Sequence, residues 1–331
     1  MINVLQIGLG SIGIKTAEYI ADKSKVNTIV AVDINTDLEG KSLHELSNKL
    51  SSNTFIYNSV ERALDSLDKK PDVAIITTVS SLEILIPQIE EVAKFEIPVV
   101  STCEELSYPW KLHPELSRKL DVICKAHNIA CLGTGVNPGF LMDYLPSVLT
   151  SVCMDIERVI VERVQDATSR RIPFQKKIGA GLNLKDFKKK ESEGTLRHVG
   201  LKESVYLLAK SVGFNLDHVT ESLEPVIAEK DVSSKAIKVK KGDARGVEQI
   251  AHGYVNGSCK VEMHFKAAIG EVRSYDKITI KGTPTFSSEI DGGIDGDIAT
   301  CAITINSINS ILRATAGLHT MADISVPGFI N

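Results

Sequence analysis

INVLQIGLGSIGIKT, at residues 2–16, joins a short apolar run to three closely spaced glycines. Gly8, Gly10 and Gly13 fit the pattern G-x-G-x-x-G, in which a tight turn and a close backbone approach to a pyrophosphate both exclude a Cβ atom. The apolar run predicts a strand, and the helical spacing of apolar residues after Gly13 predicts a helix. The stretch therefore predicts a strand–turn–helix dinucleotide site, with contacts from Gly8, Gly10, Ser11, Ile12 and Gly13.

The other phosphate motif, G-x-x-x-x-G-K-[ST], fits less well because Ile14 separates Gly13 from the following lysine. One inserted residue turns that lysine by about 100° around the helix, away from a triphosphate. A second apolar run ends at Asp33, where a carboxylate can accept hydrogen bonds from a ribose diol. Asp33 thus predicts NAD as the cofactor. NADP stays open because Asn35 and Thr36 can hydrogen-bond a 2′-phosphate.

Strand-like and helix-like patterns alternate from the N-terminus to residue 136. The strand-like segments include PDVAIITTVSS (71–81), IPVVSTCEE (97–105) and IACLGTG (129–135). This alternation predicts an α/β fold, with an N-terminal Rossmann domain built on a parallel, doubly wound sheet. Ligands of such sheets lie beyond the carboxyl ends of the strands, so we expect further cofactor contacts there, from Thr77, Thr78, Ser80 and Asn137.

The pattern changes after Gly139. ERVIVERVQD (157–166), residues 250–270 and residues 276–290 alternate in the manner of antiparallel strands exposed on one face, which predicts a second, α+β domain. The apolar run from Asp297 to His319 predicts a long helix that returns to the first domain. We therefore expect a Rossmann domain at 1–136 with a C-terminal helix at about 298–331, and the second domain at 137–297.

Composition excludes several classes of protein. The chain of 331 residues, with 43% hydrophobic content, can bury a large core. Its net charge is −4, and its charged residues form no basic patch that would bind nucleic acid or an anionic membrane. The six cysteines show neither C-x-x-C pairs nor metal-ligand spacing, so we expect no metal site and no disulfide framework. The chain starts on a strand pattern and has no apolar run of membrane-spanning length, which favours a cytoplasmic protein.

Four segments carry a resemblance to a known family: VVSTCEELSYPW (99–110), GTGVNPGFLMDYLP (133–146), ERVQDATSRRIPFQKKIGAG (162–181) and LRHVGLKES (196–204). At nearly full length the chain resembles 2,4-diaminopentanoate dehydrogenases and the related native amine dehydrogenases, which have a dihydrodipicolinate-reductase-like fold. The resemblance implies a second domain that binds the substrate and forms a homodimer. It also implies oxidative deamination of a primary amine, and reductive amination of a ketone with ammonia in reverse.

The implied substrate is 2,4-diaminopentanoate, which gives 2-amino-4-oxopentanoate, although relatives accept other small ketones such as 4-oxopentanoate. The reaction needs a general base because the amine must be neutral before its carbon is oxidised. Glu104 and Glu105 follow a predicted strand, and successive strand residues point to opposite faces. One of them is therefore expected to enter the site, and the resemblance favours Glu104.

The remaining predicted contacts concern the substrate. Asn137, in the turn GVNPG, is expected to offer its amide to the nicotinamide or to the substrate. The resemblance further implies substrate contacts from Arg163, Gln165, Asp166 and His198. Strand alternation places Val261, Met263 and Phe265 on one face and His264 on the other, and the resemblance gives His264 a role in the pocket.

Alternative functions stay open at this point. A dihydrodipicolinate reductase would carry paired histidines followed by a lysine, and a sugar dehydrogenase of similar build would carry E-K-P where this chain has Glu104-Glu105-Leu106. A related imine reductase and a non-catalytic NAD-sensing protein are compatible with the dinucleotide fold, since fold alone does not establish activity. Covalent catalysis is disfavoured because no G-x-S-x-G is present.

Overall fold

A computed structural model describes residues 1–196 and 199–331 of the chain. They form two compact units, the first from residues 1–140 and 296–331 and the second from residues 141–295. His198 lies outside the described residues. No helix in the described part of the chain has the length and hydropathy that a bilayer crossing requires.

The first unit begins with alternating strands and helices. Its strands are β1 (Ile2–Ile7), β2 (Val26–Val32), β3 (Ile56–Tyr57), β4 (Val73–Ile76), β5 (Val99–Ser101) and β6 (Ala130–Gly133). Its helices are α1 (Ser11–Ala21), α2 (Val60–Asp65), α3 (Leu82–Ala93) and α4 (Pro114–Ala126). Helix α4 starts with proline at its first position, where the missing N–H has no intrahelical partner to lose.

The second unit is α+β. Its helices are α5 (Tyr144–Leu149), α6 (Ile172–Lys177), α7 (Leu184–Ser192) and α8 (Leu201–Ser211). Its strands are β7 (Asp155–Asp166), β8 (His218–Ile227), β9 (Val232–Ser233), β10 (Lys238–Val239), β11 (Ala244–Val255), β12 (Ser258–Ala268), β13 (Tyr275–Thr283) and β14 (Phe286–Asp291). Strands β9 and β10 form a small ladder of their own.

The C-terminal segment returns to the first unit as α9 (Gly296–Asn306), α10 (Ile308–Ile311) and β15 (Gly317–His319). The prediction of one long helix over Asp297–His319 is therefore wrong at its end. Strand β15 pairs with the edge strand β6, and Asp121 accepts a hydrogen bond from Leu318 N at 3.1 Å. Pairing with an open sheet edge outweighs the local helical pattern.

The first unit contains the expected parallel sheet, with the seven strands in the order β15-β6-β5-β4-β1-β2-β3. All four residues of β4 are buried, as in strands covered on both faces. The strand order reverses between β1 and β4, and ligands of such sheets bind beyond the carboxyl ends at this switch point. The first residues after β1, β2, β4 and β5 thus all lie at one edge of the sheet.

The second unit has a six-stranded sheet in the order β14-β13-β7-β12-β11-β8. Its strand pairs are antiparallel except that β7 and β12 run parallel, which corrects the prediction of an antiparallel sheet. Helix α8 packs against β11 and β12, on the face that carries Val261, Met263 and Phe265. We call this the helix-covered face and the opposite, half-exposed side the open face.

Candidate active site

The glycine loop follows β1 and starts α1. Gly8 has φ +88°, and a Cβ atom on it would lie 2.7 Å from Thr78 Cγ2, whereas a Cβ atom on Gly13 would overlap the Gly8 carbonyl oxygen. No atom of the described residues lies within 4 Å of the Cβ position of Gly10, which is the N-cap of α1 and has no side chain to cap that helix. The loop therefore leads into a helix N-terminus with room beside Gly10, an arrangement suited to a phosphate group.

The threonines after β4 support this loop from within the sheet. Thr77 Oγ1 lies 3.0 Å from the Gly8 carbonyl oxygen and accepts a hydrogen bond from Gln6 Nε2 at 3.0 Å. Thr78 donates to Gln88 Oε1 at 2.7 Å, and the Ser80 carbonyl accepts from Glu105 N at 3.4 Å. These partners give the three residues structural roles at the sites where sequence reasoning predicted cofactor contacts. The sequence analysis did not single out Gln6, although a polar residue within an otherwise apolar strand pattern indicates a buried hydrogen-bonding role.

Asp33 stands directly after β2 and is half-buried. Its Oδ2 accepts a hydrogen bond from Leu9 N at 2.7 Å, and its Oδ1 accepts one from Asn35 N at 2.9 Å. Each carboxylate oxygen has a second lone pair. The side chain is thus held against the glycine loop and keeps acceptor capacity for a diol.

Two adjacent glutamates follow β5 in a short 3₁₀ helix (Glu104–Leu106), and the structure distinguishes them. Glu105 Oε2 accepts a hydrogen bond from Leu82 N at 2.8 Å, at the start of α3, and lies 3.6 Å from His113 Nε2. Glu105 thus stabilises the N-terminus of a helix. Glu104 is half-buried at the same edge of the sheet.

The thiol beside these glutamates is not poised as a nucleophile. Burial, aided by the negative charge of Glu104, raises the pKa of the Cys103 thiol well above its usual value. A thiol needs a lowered pKa to react as thiolate. Cys103 is a buried hydrophobic residue, which leaves the carboxylate as the reactive group of this segment.

Asn137 has an unsatisfied side chain. It is only 8% exposed, and neither Oδ1 nor Nδ2 has a hydrogen-bond partner among the described residues. Leaving a buried polar group unpaired costs about 1–3 kcal/mol. The amide therefore marks a place where a ligand with both a donor and an acceptor would find partners.

Two of the predicted substrate residues on β7 have partners within the second unit. Arg163 is 2% exposed, forms an ion pair with Asp276 and donates to the Ile294 carbonyl at 2.9 Å. Gln165 donates to the same carbonyl at 2.8 Å. These side chains hold the segment before α9. Asp276 is the carboxylate partner of Arg163 in this structure, and the contact of Arg163 with a substrate stays a prediction.

Two further predicted substrate residues, Asp166 and His264, lie on the opposite face of the sheet. Asp166 accepts hydrogen bonds from Thr168 Oγ1 at 2.6 Å and Gly270 N at 3.0 Å, so it closes a turn. His264 Nε2 lies 2.5 Å from Glu262 Oε1 on the open face. Side chains alternate between the faces of a strand, so Arg163 and Gln165 do not share a face with Asp166 and His264.

Comparison with known proteins assigns the family. The profile of the 2,4-diaminopentanoate dehydrogenase C-terminal domain matches residues 140–331. The chain is 30% identical over 334 aligned residues to 2,4-diaminopentanoate dehydrogenase from Acetoanaerobium sticklandii, covering 98% of this chain and 94% of that protein.

Two solved structures show the same fold. Amine dehydrogenase from Mycobacterium smegmatis superposes with a TM-score of 0.86 at 20% identity, covering 99% of this chain and 97% of that one. Myo-inositol 2-dehydrogenase from Lactobacillus plantarum superposes with a TM-score of 0.61 at 11% identity, covering 97% and 92%. The fold is that of Rossmann-type dehydrogenases, and on the profile and sequence matches the chain belongs to the 2,4-diaminopentanoate dehydrogenase family.

Proposed function

We propose that this protein oxidatively deaminates 2,4-diaminopentanoate with NAD, giving 2-amino-4-oxopentanoate, ammonium and NADH. Family membership supports an NAD(P)-dependent oxidoreductase that acts on a primary amine. The observation that carries the chemistry is the placement of an open glycine loop and of Glu104 at the same edge of one parallel sheet.

The residues of the first unit fit a dinucleotide. The backbone at Gly10 and the N-terminus of α1 would hold the pyrophosphate, and the carboxylate of Asp33 would accept from the adenosine ribose. The unpaired amide of Asn137 suits the nicotinamide carboxamide, which has one donor group and one acceptor. Asp33 favours NAD over NADP because its charge repels a 2′-phosphate.

The bound nicotinamide supplies the acceptor for the hydride of the carbon that carries the amine. Glu104 first takes a proton from the substrate ammonium, because only the neutral amine can push electrons toward the forming C=N bond. Glu104 passes this proton to solvent, takes one from the water that adds to the C=N bond, and returns it to the nitrogen, which leaves as ammonia while the new hydroxyl group loses its proton. The ammonium form of the amine, NAD and water are thus converted to ketone, ammonium, NADH and one proton.

The surroundings of the two glutamates support this choice of base. Glu105 accepts a hydrogen bond from Leu82 N at the N-terminus of α3 and lies 3.6 Å from His113 Nε2, so its carboxylate is turned toward that helix. Glu104 lies next to it, at the strand end where ligands of parallel sheets bind.

The partner and the location of the protein are part of the proposal. The open face of the six-stranded sheet carries half-buried apolar side chains, among them Ile160, Val164 and Ile250, which suits a contact with a second copy of this chain. All six cysteines are free thiols, which suits a reducing cytoplasm.

A substrate panel in the reductive direction tests the proposal. The purified protein is given NADH, ammonium and one ketone at a time: 2-amino-4-oxopentanoate, 4-oxopentanoate, pyruvate or glucose. Turnover that requires ammonium, with the highest kcat/KM for 2-amino-4-oxopentanoate, is expected. NADH oxidation that ignores ammonium would favour an ordinary carbonyl reductase, and tight NADH binding without any turnover would favour an NAD sensor.

A further inference from the structure

Three metal-ligating side chains meet on the open face of the second unit. His252 on β11 and Cys259 and Glu262 on β12 bring one ligand atom each to within 4.8 Å of one another. His252 and Glu262 are directly paired across the two strands. All three residues are half-buried, so the cluster is neither a solvated surface group nor part of the core.

A β-bulge creates this cluster. Cys259 and Glu262 are three residues apart and would point to opposite faces of a regular strand. The register shifts, however, so that Gly253 pairs with Val261 while Tyr254 pairs with Cys259. Lys260 is the extra residue, and a bulge of this kind turns the residue before it to the other face.

The surroundings of Lys260 agree with this geometry. Its ammonium group lies 5.8 Å from the ring centroid of Phe214, and Phe214 packs against the core of the helix-covered face. Lys260 and Val261 therefore share the helix-covered face, and Cys259 joins Glu262 on the open face. Because bulges re-aim side chains at particular positions, this one places the thiol beside the imidazole and the carboxylate.

We propose that His252, Cys259 and Glu262 bind one divalent transition-metal ion of the zinc class. Imidazole, thiolate and carboxylate are the three kinds of protein ligand that zinc takes, at bond lengths of about 2.0–2.3 Å. With these bond lengths, the ligand atoms of a tetrahedral zinc site lie about 3.3–3.8 Å apart. Side-chain shifts of about 1 Å would bring the three ligand atoms of this cluster to such distances. Three protein ligands leave the fourth position to water.

The neighbouring groups orient the proposed ligands. His264 Nε2 lies 2.5 Å from Glu262 Oε1, and Arg158 forms an ion pair with Glu262 Oε2. Partners of this kind fix a ligating carboxylate and offset part of its charge.

Cobalt(II) titration of the full-length protein, freed of metal with a chelator, tests the site. A thiolate-to-cobalt charge-transfer absorption that saturates at one cobalt per chain, and that is abolished by added zinc, is expected. Cys259→Ser is expected to lose this absorption. Cys153→Ser is the matched control, because Cys153 is a half-buried thiol of the same unit whose Sγ contacts only the Pro284 carbonyl, at 4.0 Å, among the hydrogen bonds of the described residues.

Zinc binding measured by calorimetry gives a second readout that does not depend on activity. His252→Gln and Glu262→Gln are each expected to weaken zinc binding at least about tenfold, and circular dichroism checks that each variant is folded. A wild-type protein without the cobalt absorption, or an absorption that survives in folded Cys259→Ser, overturns the proposal. Because no step uses the cofactor, the result is independent of the proposed deaminase function.

Discussion

Glu104 and Glu105 illustrate how two identical neighbouring side chains acquire different tasks. Glu105 is bound to the first N–H of α3, and it is close to His113. Glu104 lies beside it at the carboxyl edge of the sheet, in the short 3₁₀ helix after β5. The proposed assignment of the base to Glu104 leaves Glu105 at the N-terminus of α3.

Substitution of each glutamate separates catalysis from stability. Glu104→Gln is expected to lower kcat by about 10²–10⁴-fold with unchanged NADH affinity, because it removes the general base but keeps the shape. Glu105→Gln, the matched control, is expected to keep kcat within a few-fold and to lose about 0.5–1 kcal/mol of unfolding free energy at the α3 N-terminus. Steady-state kinetics and urea unfolding measure the two effects, and the reverse pattern would assign the base to Glu105.

Asp33 is the residue that we propose sets the choice between NAD and NADP. Asp33→Asn keeps an oxygen acceptor for Leu9 N but removes the charge that repels a 2′-phosphate. Hydrogen bonds to charged groups contribute about 1.5–3 kcal/mol, so we expect the NAD-over-NADP ratio of kcat/KM to fall by about 10–100-fold. An unchanged ratio would remove Asp33 from the ribose site.

At the scale of elements, the glycine loop combines two different requirements. Gly13 is needed by the fold, because a Cβ atom there overlaps the Gly8 carbonyl oxygen. No atom of the described residues lies near the Cβ position of Gly10, so packing does not require glycine there, and we propose that the approach of the dinucleotide does. The G-x-G-x-x-G pattern alone does not separate these two roles.

Alanine substitution should separate them. Gly13→Ala is expected to lower the free energy of unfolding by about 1–3 kcal/mol, as overpacking does. Gly10→Ala is expected to keep the melting temperature and to weaken NADH binding at least tenfold, because the methyl group would occupy the space of the pyrophosphate. Thermal melts and fluorescence titration with NADH provide the measurements. Normal NADH affinity in Gly10→Ala would place the dinucleotide elsewhere.

Elements also show where sequence reasoning succeeds and where it does not. The alternation Val261, Met263, Phe265 against Glu262, His264, Lys266 is confirmed, because strand periodicity is a local property. The bulge at Lys260, the pairing of β15 with β6 and the Arg163–Asp276 contact depend on partners far away in the chain. Because the bulge at Lys260 is not visible in the sequence, the spacing of Cys259 and Glu262 suggested no metal site. In the structure their ligand atoms lie within 4.8 Å of that of His252.

At the scale of the whole molecule, the α/β fold with a Rossmann unit and an α+β unit was predictable from the sequence. Strand and helix patterns in the right order specify the parallel sheet, and its switch point locates the ligand edge. The positions of the predicted substrate residues in the second unit were less predictable. The family motif indicates which segment of the chain holds them, but the face of the sheet on which each side chain lies is known only from the folded structure.

The proposed dimer is a property of the whole molecule. Light scattering is expected to give about twice the chain mass of 36.0 kDa. Ile160→Glu on the open face is expected to shift the protein to monomer, because a charge would be buried in the contact. Val272→Glu, at a position that is 99% exposed, is the control and is expected to leave the dimer intact. A wild-type monomer would contradict the dimer.

The stoichiometry of the forward reaction tests the central claim most directly. The protein is incubated with 2,4-diaminopentanoate and NAD, and NADH and ammonium are measured in the same sample over time. Oxidative deamination predicts equal amounts of both products, with 2-amino-4-oxopentanoate formed in step. NADH without ammonium, or no reaction with this amine, would contradict the proposed function.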